Sequence, residues 1–185
     1  MVTDLEKLKS LVHYICAVCS HDLNALDEVK LHEILWIVDA ESCVTFGKAV
    51  MGEEYTRGAH GPESVHLDSV LRELVREGHL SIRTIGNIQQ FIASTLPTAL
   101  PVSAVERRTL EDVIQAVTEE PAWQVLDSAH QPRGLGRVRE VSLEAVWQVA
   151  EPGEVIPYQE QLVSHFLPLT ESDQQWVESQ LKDLK

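Results

Sequence analysis

The chain has 185 residues, 44% of them hydrophobic, enough to bury one substantial core, and the length argues for a single domain. Its 15 Lys and Arg stand against 29 Asp and Glu, a formal charge of −14 at pH 7. Such a charge repels a phosphate backbone and forfeits counterion release, so nucleic-acid binding is disfavoured and a basic or neutral protein partner would be steered to the surface.

The opening MVTDLEKLKSLV interleaves acids and bases from Asp4 onward, so it lacks the basic leader and apolar core of a signal peptide. No run approaches about 18 uncharged apolar residues, so no membrane span is expected. Three cysteines, an odd number, argue against a disulfide framework and for a reducing compartment, giving a cytoplasmic placement. Thr3-Asp4-Leu5-Glu6 has the form of a capping box, and Leu5, Leu8, Leu11, Val12, Ile15 and Cys19 then recur at helical spacing, predicting a first helix to about Cys19. Asp27 can cap a second helix with Leu31, Ile34, Leu35, Val38 and Ser42 on one face, closed by Gly47. A third is expected after Pro62, with Ser64 as N-cap, Val70, Leu71, Leu74 and Val75 on one face, and a stop at Gly78.

The period then changes. HLSIRTI alternates through Leu80, Ile82 and Ile85, Gly86-Asn87 is a turn pair, and IQQFIA returns, which predicts a two-stranded hairpin. Helix, glycine, strand, turn, strand is also the order of a winged helix, although the hairpin carries Arg83 as its one base. Ser103-Ala-Val-Glu106 is a second capping box, opening a helix through Leu110, Val113, Ile114 and Val117 to Pro121. Pro121 suits the first turn of a short helix, QPRGLGRVRE reads as a loop, and VSLEAVWQV fits helix or strand. YQEQLVSHFL reads as helix, and Thr170 to Asp173 could cap a last helix holding Trp176, Val177, Leu181 and Leu184. The expected fold is mainly α with a small β-hairpin, a single-domain helical bundle with a winged-helix-like element. Its core domain spans residues 1–165, followed by a helical extension over 166–185.

Candidate chemistry is thin. His13-x-x-Cys16-x-x-Cys19-x-His21 has half the ligands of a tetrahedral zinc site, but both cysteines sit in a strongly periodic apolar helix where small buried residues are wanted. The same pair as a redox centre needs a strand before the helix, which is not there. Asp39, His60 and His66 could support a metal-dependent hydrolase, yet no HExxH, HxH or HD pair stands among them. Nucleophile-elbow, phosphate-loop and dinucleotide motifs are absent from the sequence. No catalytic residue, cofactor or metal is therefore expected, with Cys16 and Cys19 as the weak metal alternative.

One ordered set of residues runs through the first third: Lys30-Leu31-x-x-Ile34-Leu35-Trp36-x-x-Asp39, then Gly47-x-x-Val50-x-Gly52-x-x-Tyr55, then His60-Gly61-Pro62. Gly47 can stop helix two, Gly52 permits a turn that brings Tyr55 back over it, and Gly61-Pro62 breaks the chain before helix three. Trp36, Asp39 and Tyr55 then form a structural corner in which the phenol or indole finds a buried partner, or a docking surface. The set resembles the Panacea domain, the SocA-like antitoxin family, whose helix of form KLxKLLYxAD leads through a G-x-x-x-x-G-x-x-Y turn to YGPV. Leu80 after Gly78, Leu126 to His130, and Trp147 with Gly153, Ile156 and Tyr158 are similar to later family features. The chain departs from the pattern with Glu33 for a lysine, His60 for an aromatic, Glu63 for a valine, and a long gap from His130 to Trp147. The resemblance implies a binding protein rather than an enzyme, an antitoxin that neutralises a cognate toxin encoded beside it. It would act by direct binding or as an adaptor presenting the toxin to a cellular protease.

Overall fold

The computed structural model describes residues 3–20, 26–59, 61–86, 88–119 and 143–164. Two long helices open the fold, α1 (Leu5–Cys19) and α2 (Glu28–Phe46). Strands β1 (Tyr55–Arg57) and β2 (Pro62–Ser64) follow, then α3 (Leu67–Arg76) and the hairpin β3 (Leu80–Ile85) and β4 (Ile88–Ala93). Helices α4 (Ala104–Glu119), α5 (Leu143–Gln148) and α6 (Tyr158–Val163) complete it. Among the described residues this is a small α+β fold of six helices and two antiparallel two-stranded sheets. The short helix expected from Pro121, the loop after it and the extension over 166–185 lie outside the described residues.

Local signals explain most boundaries. Asp27 Oδ1 accepts from the Lys30 N–H (2.9 Å) to cap α2. At α4 the capping box closes reciprocally, Glu106 N–H to Ser103 Oγ (3.3 Å) and Ser103 N–H to Glu106 Oε2 (2.7 Å). In the first helix the cap is Asp4, accepting from Lys7 N–H (3.0 Å), rather than Thr3, whose hydroxyl reaches the Gly52 carbonyl (3.3 Å).

Two expectations change. Pro62–Ser64 is a strand, paired Tyr55↔Ser64, Thr56↔Glu63 and Arg57↔Pro62, and the helix expected after Pro62 starts only at Leu67. Three-residue strands are too short to show alternation, and a proline at the first strand position forfeits no needed donor. Ser64 still serves α3, its Oγ accepting from Leu67 N–H (3.1 Å). The ambiguous VSLEAVWQV resolves as the short helix α5. The β3–β4 hairpin forms as expected, in register from Leu80↔Ala93 to Ile85↔Ile88.

Helix α2 is the axis of the molecule. It packs against β2, α4 and α6, while α1 packs against α3 and β4. Besides the expected Leu31, Ile34, Leu35, Val38 and Ser42, it buries Trp36, Ile37, Asp39, Ala40, Cys43 and Val44, so no single apolar stripe marks it. It ends at Gly47, whose φ of 72° is left-handed and whose N–H bonds the Cys43 carbonyl (3.0 Å). A Cβ is disfavoured there by about 1 kcal/mol. Gly47→Ala should lower the unfolding free energy by that amount in urea titrations followed by tryptophan fluorescence, with an unchanged m-value; no loss of stability would contradict the left-handed cap.

Candidate functional site

The motif residues quoted from separate stretches meet around Asp39, on the buried face of α2. Gly52 (φ 63°) turns the chain after α2 so that residues 51–55 run back across it. The Asp39 carboxylate is fully buried and takes Met51 N–H on Oδ1 (2.7 Å) and Glu53 N–H on Oδ2 (3.1 Å). Two phenols also point at Oδ2: Tyr55 Oη at 3.4 Å and Tyr158 Oη at 3.1 Å. Tyr158 shares its single proton between that oxygen and the Glu53 carbonyl (3.0 Å).

Tyr158 arrives from 119 residues away by a defined route. The segment before α6 adds to the free edge of β1: Ile156 N–H bonds the Tyr55 carbonyl (2.8 Å), Arg57 N–H bonds the Glu154 carbonyl (2.9 Å), and Gly153 N–H bonds the Arg57 carbonyl (2.8 Å). Trp36, Tyr55 and Tyr158 then pack edge to face in all three pairs, with centroids 5.2–5.4 Å apart. Both phenols find partners; the Trp36 indole N–H finds no acceptor among the described residues. Trp36, Asp39 and Tyr55 are fully buried, so they build the corner and offer no surface to a partner in this conformation.

Burial dominates the electrostatics. It pushes the Asp39 carboxyl up to about 6, against the pull of its N–H donors and the Tyr158 hydroxyl. The Tyr55 and Tyr158 phenols are likewise held well above the ordinary range, first by burial and then by Asp39. Glu33 is pushed up to about 7 by burial, and its Oε2 has no partner among the described residues.

Sequence reasoning missed Glu53, which organises the flank of the corner. Its buried carboxylate accepts from Ser64 Oγ (2.8 Å), from His66 N–H (2.9 Å) and from His66 Nδ1 (3.1 Å), tying β2 and the start of α3 to the Gly52 turn. Nothing in a lone Glu after a glycine signals this; only the fold brings it to His66. On the other side His32 Nδ1 accepts from Ser64 N–H (2.9 Å), so this imidazole is neutral with its proton on Nε2, in line with burial holding its pKa down.

The remaining predicted residues scatter. His66 bonds Glu53 rather than Asp39, which does not form the acid–base pair a hydrolase would use. His60 and His130 lie outside the described residues. Gly61 and Pro62 are buried in the β1–β2 turn, where Gly58 N–H bonds the Gly61 carbonyl (2.8 Å) and the Glu63 side chain lies so close over Gly58 that a Cβ there would collide with it. Lys30 sits half-buried in the first turn of α2. Trp147 is half-buried in α5 with the Arg57 guanidinium 5.4 Å from its ring centroid, and Arg57 Nη1 donates to the Ala150 carbonyl (2.8 Å). Cys16, Cys19 and Cys43 are buried thiols, none of them in a disulfide. Burial pushes Cys16 well above the ordinary thiol range and Cys43 up to about 12. Among the described residues no three His, Cys, Asp or Glu side chains are grouped to hold a metal ion, and no helix is long and apolar enough to cross a membrane.

The fold and the site thus define a small α+β protein closed by a buried carboxylate and three aromatic rings. No family model, curated protein or solved structure matches the chain.

Asp39→Asn would set an amide NH2 against one of the two backbone donors and should cost about 2 kcal/mol at pH 7. Because the folded carboxyl titrates above the unfolded value of 3.8, its contribution is complete below 3.8 and is lost as pH rises through about 6. The wild-type advantage over Asp39→Asn in urea melts should therefore grow from pH 7 to pH 4; a shrinking gap would contradict the buried site.

Proposed function

We propose that the chain is an antitoxin-type protein-binding module of the Panacea, SocA-like kind, acting in the cytoplasm by direct contact with a cognate toxin and not by catalysis. The observation that supports this most is spatial. Trp36, Asp39, the Gly52-x-x-Tyr55 turn and the distant Gly153, Ile156 and Tyr158 are separate pieces of one sequence pattern, and they close a single corner. A pattern whose members solve one folding problem together is what a family signature of this kind requires.

Since the motif is interior, partner contact falls elsewhere. We place it on the tip of the β3–β4 hairpin, where Ile85 and Ile88, 44% and 51% exposed, lie directly opposite each other on one face, while Ile82, 48% exposed, is three residues from Ile85 along the strand and lies on the other face. Apolar side chains grouped on a projecting hairpin mark contact surfaces more often than scattered ones do. The chain as a whole is acidic, with a formal charge of −14, so the partner that fits offers an apolar recess ringed by Lys and Arg. Nucleic acid fits the winged-helix-like order of α3, β3 and β4 less well: Arg72 and Arg76 are paired with Asp68 (3.0 Å) and Glu73 (3.2 Å), which leaves Arg83 as the hairpin's base.

The test is growth of cells expressing the adjacent open reading frame, with and without this chain, and isolation of the pair. Rescue with a stable complex is expected, and Ile85→Asp with Ile88→Asp should abolish both while leaving the melting curve unchanged. Rescue with falling toxin levels, lost in protease-deficient cells, would replace neutralisation with protease delivery. Absence of toxicity, or toxicity without rescue, would overturn the proposal.

A further inference from the structure

The root of the hairpin is fastened to α1 by two histidines that the corner does not use. His13, on α1, is 5% exposed and lies with its ring centroid 5.0 Å from that of His79, which immediately precedes β3. Both rings converge on Thr95, just past the end of β4. His13 Nε2–H donates to the Thr95 carbonyl (2.7 Å), and the Thr95 hydroxyl lies 3.0 Å from His79 Nδ1 and 3.3 Å from His13 Nε2. The strands close immediately outside this cluster, through Ser94 N–H to the His79 carbonyl (2.8 Å). One helix and both ends of the hairpin therefore meet at an imidazole pair.

Two rings at this separation tolerate one charge far better than two. The charged groups around them are Lys9 on α1, Glu73 and Arg76 on α3, and Glu77 just past the end of α3. Lys9 already bonds Glu77 (2.8 Å) and Glu73 (3.4 Å), and Arg76 bonds Glu73 (3.2 Å). Glu77 also stands 3.8 Å from His79 Nε2. Among the described residues no carboxylate bonds His13, so a proton there meets burial and a charged neighbour with no counterion.

We propose that His13 and His79 form a proton-operated latch that clamps the β3–β4 hairpin to α1 when neutral and loosens the hairpin root when both rings are charged. As regulation of partner contact, the latch rests on the reading that the hairpin is the contact surface; as a conformational device it stands alone. Burial, and secondarily His79, hold the His13 pKa below its ordinary 6.5 despite the Thr95 carbonyl. The sign follows: the clamp is complete above 6.5 and is lost as pH falls from there through the lower folded value.

Amide-exchange protection factors of the whole chain, by NMR at pH 7.5 and 5.0, test it. Amides of β3, β4 and Ser94 should lose about tenfold or more in protection at pH 5.0, the scale of one linked proton per pH unit, while Leu35 in α2 holds its own. His13→Gln, which can still donate to the Thr95 carbonyl but does not titrate, should abolish the loss. His79→Gln, which removes the imidazole packed against His13, should reduce it and serves if the first variant fails to fold. Unchanged hairpin protection in wild type, or the same loss in His13→Gln, would overturn the latch. Partner affinity at the same two pH values reads the other claim separately: protection that falls with affinity unchanged keeps the latch and removes the hairpin as the contact surface.

Discussion

A carboxylate with no access to water governs this structure. Asp39 sits inside the molecule, where an ionised group is costly unless donors surround it, and the chain supplies them from three places: the turn after α2, the start of β1 and the start of α6. Each constraint on the surrounding chain follows. The turn must double back to bring Met51 and Glu53 N–H groups to the two oxygens, which is why a positive-φ glycine precedes Glu53. Segment 153–158 must pair with β1 to deliver Tyr158, which fixes where α5 and α6 lie. The three aromatic rings then seal the carboxylate from solvent.

The same group makes the corner an adjustable part. Its folded titration near 6 means that the ionised form is carried at neutral pH at an expense of about 3 kcal/mol relative to a hydrated Asp, the equivalent of two pKa units. An apolar residue would avoid that expense but would leave two backbone donors without acceptors. What the carboxylate supplies is uniqueness: one arrangement of turn, strand and late helix satisfies all four donors at once.

Much of this was legible in the residues, for identifiable reasons. Caps at Asp27 and Ser103 and the stop at Gly47 are local chemistry, and the hairpin announced itself through alternation around Gly86-Asn87. The β1–β2 pair was not legible, because three residues carry no period and Pro62 reads as a helix start. The burial of α2 on nearly every side hid its true surroundings behind one apparent stripe. Trp36, Asp39 and Tyr55 could be grouped by spacing, but whether they faced inward or outward could not; that depends on Tyr158, more than a hundred residues away. Glu53 had no signal at all, since its partners Ser64 and His66 reach it only through the pairing of β1 with β2. The interior position of the corner means that Trp36, Asp39 and Tyr55 serve the fold and present no surface of their own.

Asp39 is a buried carboxylate held by the Met51 and Glu53 amides. A carbon-detected NMR titration of the Asp39 carboxyl, with the amide protons of those two residues followed in the same samples, tests it directly. The expected midpoint is about 6, with both amide resonances moving on the carboxyl's curve. A midpoint at the ordinary aspartate value near 3.8, with the two amides indifferent to it, would contradict it.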